Sequence, residues 1–135
     1  MAEDSPAPSG ELVLRTLAMP ADTNPSGDIF GGWLLSQMDI AGGLLAKQEA
    51  RGRVATVAVE SMTFHLPVFV GDVVCSYAEL RRRGHTSLTV RVQAWVIRDA
   101  CHAERVKVTE GMFTYVAIDD NRRPRPVPEP VGQAD

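Results

Sequence analysis

The chain has 135 residues, 44% of them hydrophobic and 23% charged, with a formal net charge of -3. That length suits one domain with one real core, and the charge excludes the basic field that grasps nucleic acid. No apolar run approaches the ~20 residues of a membrane span. Met1-Ala-Glu-Asp-Ser lacks the basic and apolar regions of a signal peptide, and Cys75 and Cys101 are too few for a disulfide framework, so a cytoplasmic protein is expected. One small domain also leaves little room for a deep enzyme pocket.

Residues 1–10 are small, polar and proline-bearing and read as a disordered tail. Glu11 to Ala18 alternates as a first strand, and Pro20 to Gly32 is a loop of turn residues. A long helix is expected from Trp33 to Ala50, closed by Gly52. Strands are expected over Val54 to Phe64, Val73 to Arg82, Thr86 to Arg98 and Glu104 to Ile118. Leu88, Val90, Val92, Ala94 and Val96 mark the apolar face of the third of these. Residues 120–135 form a tail rich in proline and arginine, leaving 11–119 as the domain. Short connections between long strands argue for an antiparallel sheet. The fold class is therefore α+β, with about five strands wrapped around one helix.

The helix carries two stripes. Leu34, Met38, Ala41 and Leu45 form an apolar one that should face the sheet. Gly32, Ser36, Asp39 and Gly43 form a second one, well over 90° away at ~100° per residue and almost free of bulk. Glycines cost a helix up to about 1 kcal/mol each, which points to close approach by another chain or a ligand. Asp39 stands in the middle of this stripe and is a candidate general base or nucleophile; as a plain surface carboxylate it would be unremarked.

Asn24 reads either as turn chemistry before Pro25 or as an amide that positions water or a carbonyl. Gly31 and Gly32 open the helix, where free N–H groups suit an oxyanion or phosphate. Neither nucleotide motif is present, since a P-loop lysine and a G-x-G-x-x-G spacing are both missing. Arg81-Arg82-Arg83, beside Gly84, His85, Thr86 and Ser87, reads as a solvated turn or a contact site for phosphate. Arg123 and Arg125 in the tail are a second site of that kind. Cys101-His102 with Glu104 is a weak metal-like cluster, and no metal is expected. Ser36 lacks the context of a serine hydrolase. Cys75 reads as a small buried hydrophobe, and Trp33 and Trp95 as core or interface anchors.

These residues together are familiar. Leu14-Arg-Thr-Leu-Ala-Met-Pro, the block from Ala21-Asp-Thr-Asn-Pro-Ser-Gly-Asp-Ile-Phe-Gly-Gly through Met38-Asp-Ile-Ala-Gly-Gly, Val59-Glu-Ser-Met-Thr-Phe, Val70-Gly-Asp-Val-Val-Cys and Phe113-Thr-Tyr-Val-Ala resemble the hotdog-fold acyl-CoA thioesterases of the YciA type. The Arg123-Pro-Arg-Pro-Val-Pro tail does too, so the resemblance covers about residues 11 to 128.

The resemblance implies a long antiparallel sheet wrapped around a central helix, and a homodimer as the minimal unit, built up to a homohexamer. It implies hydrolysis of acyl-CoA to a free acid and CoA, with no metal and no cofactor beyond the CoA of the substrate. Asp39 would be the catalytic carboxylate at a site between two subunits, and Asn24 would come from the partner chain. Near Gly31 and Gly32, backbone N–H groups would hold the developing oxyanion. Arg82, Arg83, Gly84, Thr86, Ser87, Arg123 and Arg125 would meet the nucleotide end of CoA. Val57, Ala58 and Val59 would run beside the pantetheine arm. His85 and the small Ala58 depart from some relatives, which puts one phosphate contact in doubt.

Two other functions fit fewer residues. A non-catalytic CoA-binding regulator on the same fold would use the arginines and have no need of Asp39. A dehydratase acting on hydroxyacyl thioesters would need a histidine near the helix, and His65, His85 and His102 all lie elsewhere in the sequence.

Overall fold

The computed structural model describes residues 7–98 and 104–130. Among these residues five strands, β1 (Glu11–Leu17), β2 (Val54–Phe64), β3 (Val73–Arg83), β4 (Ser87–Ile97) and β5 (Arg105–Ala117), accompany one α-helix, α1 (Gly31–Ala50), and a single 3-10 turn at Pro20–Asp22. The strands form one sheet in the order β1-β3-β4-β5-β2, and every pairing is antiparallel. This is the sheet wrapped around one helix that the alternation and the short connections lead one to expect, and the hotdog architecture that the resemblance implies. Every strand end falls within one residue of its expected position.

The sheet wraps the helix because its ladders are interrupted. Register shifts fall at Leu12/Leu14 in β1, Thr56/Ala58 and Glu60/Thr63 in β2, Leu80/Arg82 in β3 and at Val108 in β5, opposite Ala94/Trp95. Each bulge bends its strand and adds twist, so the sheet curls. Leu34, Met38, Ala41 and Leu45 are buried against its concave face, with Leu88, Val90, Val92, Ala94 and Val96 opposite them. This core fixes the helix orientation, and hence the side of it that stays open.

Two details of the helix differ from expectation. It starts at Gly31, two residues early, and its left-handed closing residue is Arg51 (φ 53°), not Gly52. Gly52 is small for another reason: a Cβ there would lie 2.6 Å from the Arg125 guanidinium. That group donates to the carbonyls of Ala50 (2.9 Å) and Ile118 (3.0 Å) and so satisfies the helix end. One of the helical glycines, Gly42, has a closer cause than another chain. A Cβ on Gly42 would collide with the Tyr115 hydroxyl and come within 3.1 Å of Val92, while one on Gly43 would make only an ordinary 3.6 Å contact with the Tyr115 ring. Gly32, by contrast, faces open space.

Residues 118–130 lie along the surface as a strap. Ile118 bridges to Pro124, Val127 N–H donates to the His85 carbonyl (2.8 Å), and Arg51 donates to the Glu129 carbonyl (2.9 Å). At the other end of the described chain, Ser9 bonds Gln93 (2.9 Å) and Glu79 (2.7 Å) on the convex face. That face carries a second small cluster of Cys75, Tyr77 and Trp95, with the Trp95 indole N–H donating to Gln93.

Glu110 anchors a charge network on the same face, with Lys107 at 2.6 Å and Arg91 at 2.9 Å. The hydrogen bond from Lys107 holds the Glu110 carboxyl well below its usual 4.5, at about 2; partial burial opposes this and Arg91 assists it. The folded-state value lies below the unfolded one, so the network stabilises fully above about pH 4.5 and fades as the pH falls toward 2. Glu110→Gln is expected to melt below the wild type at neutral pH. The gap should close on acidification, as followed by thermal denaturation at stepped pH.

Candidate active site

Asp39 sits on the flank of α1 where β2 and β5 meet it, half-buried. Its Oδ1 accepts hydrogen bonds from Thr56 Oγ1 on β2 (2.8 Å) and from the Tyr115 hydroxyl on β5 (3.0 Å). The same hydroxyl lies 2.9 Å from the Asp39 main-chain oxygen. These contacts fix the orientation of Oδ1 and leave Oδ2 for other work. Burial, then the neighbouring Asp39 charge and its hydrogen bond, push the Tyr115 phenol well above its ordinary value. The phenol therefore stays protonated and donates to the carboxylate throughout the working pH range.

Thr56 and Tyr115 were not among the candidates drawn from sequence. A signal for Tyr115 exists, however. Phe113, Tyr115 and Ala117 alternate on the buried face of β5, so a phenol there needs a polar partner on the packed helix. On that helix Asp39 is the side chain placed to meet it.

Asn24 lies in the loop before α1. Its Oδ1 accepts from Ser26 N–H (2.9 Å) and Asp28 N–H (3.1 Å), which is the turn function expected of it. Two backbone donors on one atom orient the amide, so Nδ2 faces outward as a donor with no partner among the described residues. Gly31 and Gly32 follow at the helix N-terminus. Phe30 caps the helix without a side-chain bond, and no acidic residue occupies the first turn. The first helical N–H groups are thus uncapped and carry the positive end of the dipole.

Gly31 and Asp39 are eight residues apart on one straight helix, about 12 Å by its rise. One small polar group cannot touch both within a single chain. Around both groups the surface is apolar and open: Ile40, Leu44, Val57 and Val59 are each two-fifths exposed or more. Among the described residues strand β2 pairs only with β5, so its other edge has N–H and C=O groups without strand partners there.

The phosphate candidates divide. Arg82 and Arg123 are exposed, near Thr86 and Ser87 at the turn between β3 and β4 and the adjacent strap. Gly84 N–H bonds the Ser87 carbonyl (2.8 Å), closing that turn. Arg83 is instead paired with Glu49 and bonded to the Pro128 carbonyl, and Arg125 is held by the two carbonyls described above. Val57 bulges out of β2, flanked by Ala58 and Val59, on the edge nearest Thr56. His65 and His85 are exposed. Cys101 and His102 of the metal-like cluster lie outside the described residues, and no group of three or more metal-binding side chains occurs among those described.

Known proteins share this chain's pattern. Residues 26–101 match the model of the thioesterase superfamily. The acyl-CoA thioester hydrolase YciA of Salmonella typhimurium is 60% identical, over 90% of this chain and 92% of its own length. An aspartate-to-alanine mutant of a hexameric broad-specificity acyl-coenzyme A thioesterase, HI0827, superposes with a TM-score of 0.85 at 53% identity, covering 89% of this chain and 88% of that one. An asparagine-to-alanine mutant of the Staphylococcus aureus acyl-CoA hydrolase, in complex with coenzyme A, superposes at 0.80 with 27% identity, covering 90% and 72%; an aspartate-to-alanine mutant of the same enzyme superposes at 0.78. The chain belongs to the thioesterase superfamily, among the YciA-type acyl-CoA thioester hydrolases.

Proposed function

We propose that this chain hydrolyses acyl-CoA thioesters to a carboxylic acid and CoA, at a site assembled from two copies of itself. The observation that carries the two-copy site is the separation along α1. Asp39 and the uncapped N–H groups at Gly31 and Gly32 are both suited to acyl transfer, yet stand about 12 Å apart. Two copies related by a two-fold axis bring the N-terminus of one helix to the Asp39 flank of the other, across the open β2 edges. The exposed apolar surface between these groups supports such an interface.

In this site the thioester oxygen lies on the helix N-terminal N–H groups, where negative charge develops as the carbonyl carbon is attacked. Asn24 Nδ2, from the same chain as those groups, donates to the attacking water or to the carbonyl. Asp39 of the other copy supplies the carboxylate, removing a proton from water or attacking the carbon itself. Either route breaks the C–S bond, releases CoA as the thiol and leaves the acid. Thr56 and Tyr115 hold Asp39 in place. Arg82 and Arg123 take the CoA phosphates, with Thr86, Ser87 and Gly84 beside them. They lie toward the C-terminal end of α1, about 16 Å along its axis from Asp39. Arg83 and Arg125 contribute by anchoring the strap that carries Arg123.

The aspartate and asparagine replaced in the Staphylococcus aureus structures are separated by the same number of positions as Asn24 and Asp39, which supports these assignments. The hexameric state named for the relative supports a trimer of such dimers here. No metal enters the scheme: side chains and water suffice, and CoA arrives and leaves with the substrate. No described helix is long and apolar enough to cross a membrane, and a CoA thioester substrate fits work in the cytoplasm.

The test is release of free thiol from a series of acyl-CoA substrates by the full-length protein. Turnover of at least one substrate is expected. Tight binding of CoA with no thiol released from any of them would favour the regulatory module instead.

A further inference from the structure

Tyr115 is buried on the sheet face that packs against α1, and its ring stacks on Phe113 with centroids 6.4 Å apart. Its hydroxyl reaches two oxygens of one residue, the Asp39 main-chain oxygen (2.9 Å) and Oδ1 (3.0 Å). It gets there only because residue 42 has no side chain. A Cβ at Gly42 would stand 2.4 Å from the hydroxyl oxygen and 3.1 Å from the ring carbon that bears it. Val92, fully buried, closes another side at 3.1 Å, so a side chain at this position has nowhere to lean. Glycine weakens the middle of a helix, so the opening at Gly42 has a cost that the contact it admits must offset.

The phenol has one proton for two acceptors. Inside α1 the main-chain oxygen of Asp39 already faces a helical N–H one turn on, and the carboxylate carries charge, so the proton goes to Oδ1. A hydroxyl lodged against both the backbone and the carboxylate of one residue fixes the side-chain torsion of Asp39. Thr56 also donates to Oδ1 (2.8 Å), so Oδ2 is the carboxylate oxygen without a partner among the described residues.

We infer that Gly42 and Tyr115 are a positioning pair for Asp39: Gly42 makes room for the hydroxyl, the hydroxyl holds Oδ1 with Thr56, and Oδ2 is the oxygen that takes the proton from water or attacks the carbonyl carbon. The inference rests on the thioesterase activity proposed above. A pair of this kind acts on rate and not on substrate binding, because it touches no part of the acyl-CoA and leaves the arginines where they are. Displacing a reacting group by about 1 Å can cost about a hundredfold in rate.

The experiment measures kcat, KM and melting temperature with the wild type's best acyl-CoA substrate for Tyr115→Phe, Gly42→Ala, the double variant and Val92→Ala, each checked for assembly state. Tyr115→Phe and Gly42→Ala are each expected to lower kcat about tenfold, with KM within about twofold of the wild type. The double variant should also lose about tenfold, not the roughly hundredfold of two independent effects, because without the hydroxyl a Cβ at residue 42 has nothing to displace. Val92→Ala removes packing beside Gly42 without touching the hydroxyl, so it should melt lower and keep its kcat. Tyr115→Phe keeps the ring, and it decides the matter even where Gly42→Ala fails to fold. A folded Tyr115→Phe enzyme with wild-type kcat, fully additive losses, or an equal loss of kcat in Val92→Ala would overturn the positioning pair while leaving the thioesterase intact. A wild type that releases no thiol from any acyl-CoA would remove the activity, and this role with it.

Discussion

Asp39→Asn is expected to lower kcat/KM for every acyl-CoA substrate by about a thousandfold, the range lost when a general base or nucleophile is removed. The substitution keeps the size of the side chain. An amide oxygen still accepts from Thr56 and Tyr115, so the melting temperature should move little. What disappears is the negative charge, and with it the ability to take a proton from water or to attack carbon. The same change removes one of the causes that hold the Tyr115 phenol above its usual range, so its titration should shift downward in an ultraviolet pH scan. Thiol release and the melting curve together check the prediction; wild-type turnover in the folded variant would remove Asp39 from the mechanism. Direct attack expels CoA and leaves an acyl–Asp39 anhydride, which water then opens. In a single turnover in ¹⁸O-labelled water, an unlabelled acid with label in Asp39 shows direct attack with opening at the aspartyl carbon, whereas water activation labels the acid and leaves Asp39 unlabelled.

Asn24→Asp is expected to cost about a hundredfold in kcat, the scale of losing one donor to a developing oxyanion or its attacking water. Asparagine has two separable jobs here. Its Oδ1 holds the loop through Ser26 and Asp28 N–H groups, and aspartate can keep both bonds. Only asparagine offers the Nδ2 donor. Asn24→Ala loses both jobs and should therefore be less stable as well as less active. A pair of variants with equal melting temperatures and unequal activities from the wild type would contradict this division, as would an Asn24→Asp enzyme of full activity.

Much of the fold was legible because it follows from periodicity. The apolar alternation of β4 and the Leu34, Met38, Ala41, Leu45 stripe are local patterns, and both are buried as the spacing requires. The α1 boundary was harder. Gly31 and Gly32 look like loop residues, and the left-handed turn at Arg51 uses a residue with no preference for it. The glycines were half understood: their spacing signalled close approach, but the neighbour of Gly42 is Tyr115 of the same chain. A cross-sheet contact of that kind depends on register, which a single sequence does not state. The same limit hid Thr56. The arginines illustrate a different limit. Arg82, Arg83, Arg123 and Arg125 look alike in sequence, yet carbonyls and Glu49 engage two of them, and only the folded strap distinguishes these from the exposed pair.

The central claim is that the Asp39 of one copy works with the Asn24 and helix N-terminus of another. Mixing decides it. Asn24→Asp and Asp39→Asn chains, each nearly inactive alone, are co-expressed with different tags and purified through both. Each mixed dimer then contains one site with both native residues and one with neither. Thiol release is expected to return to about half the wild-type rate per mixed dimer. Mixed assemblies no more active than either parent would contradict the shared site and require Asn24 and Asp39 to act within one chain.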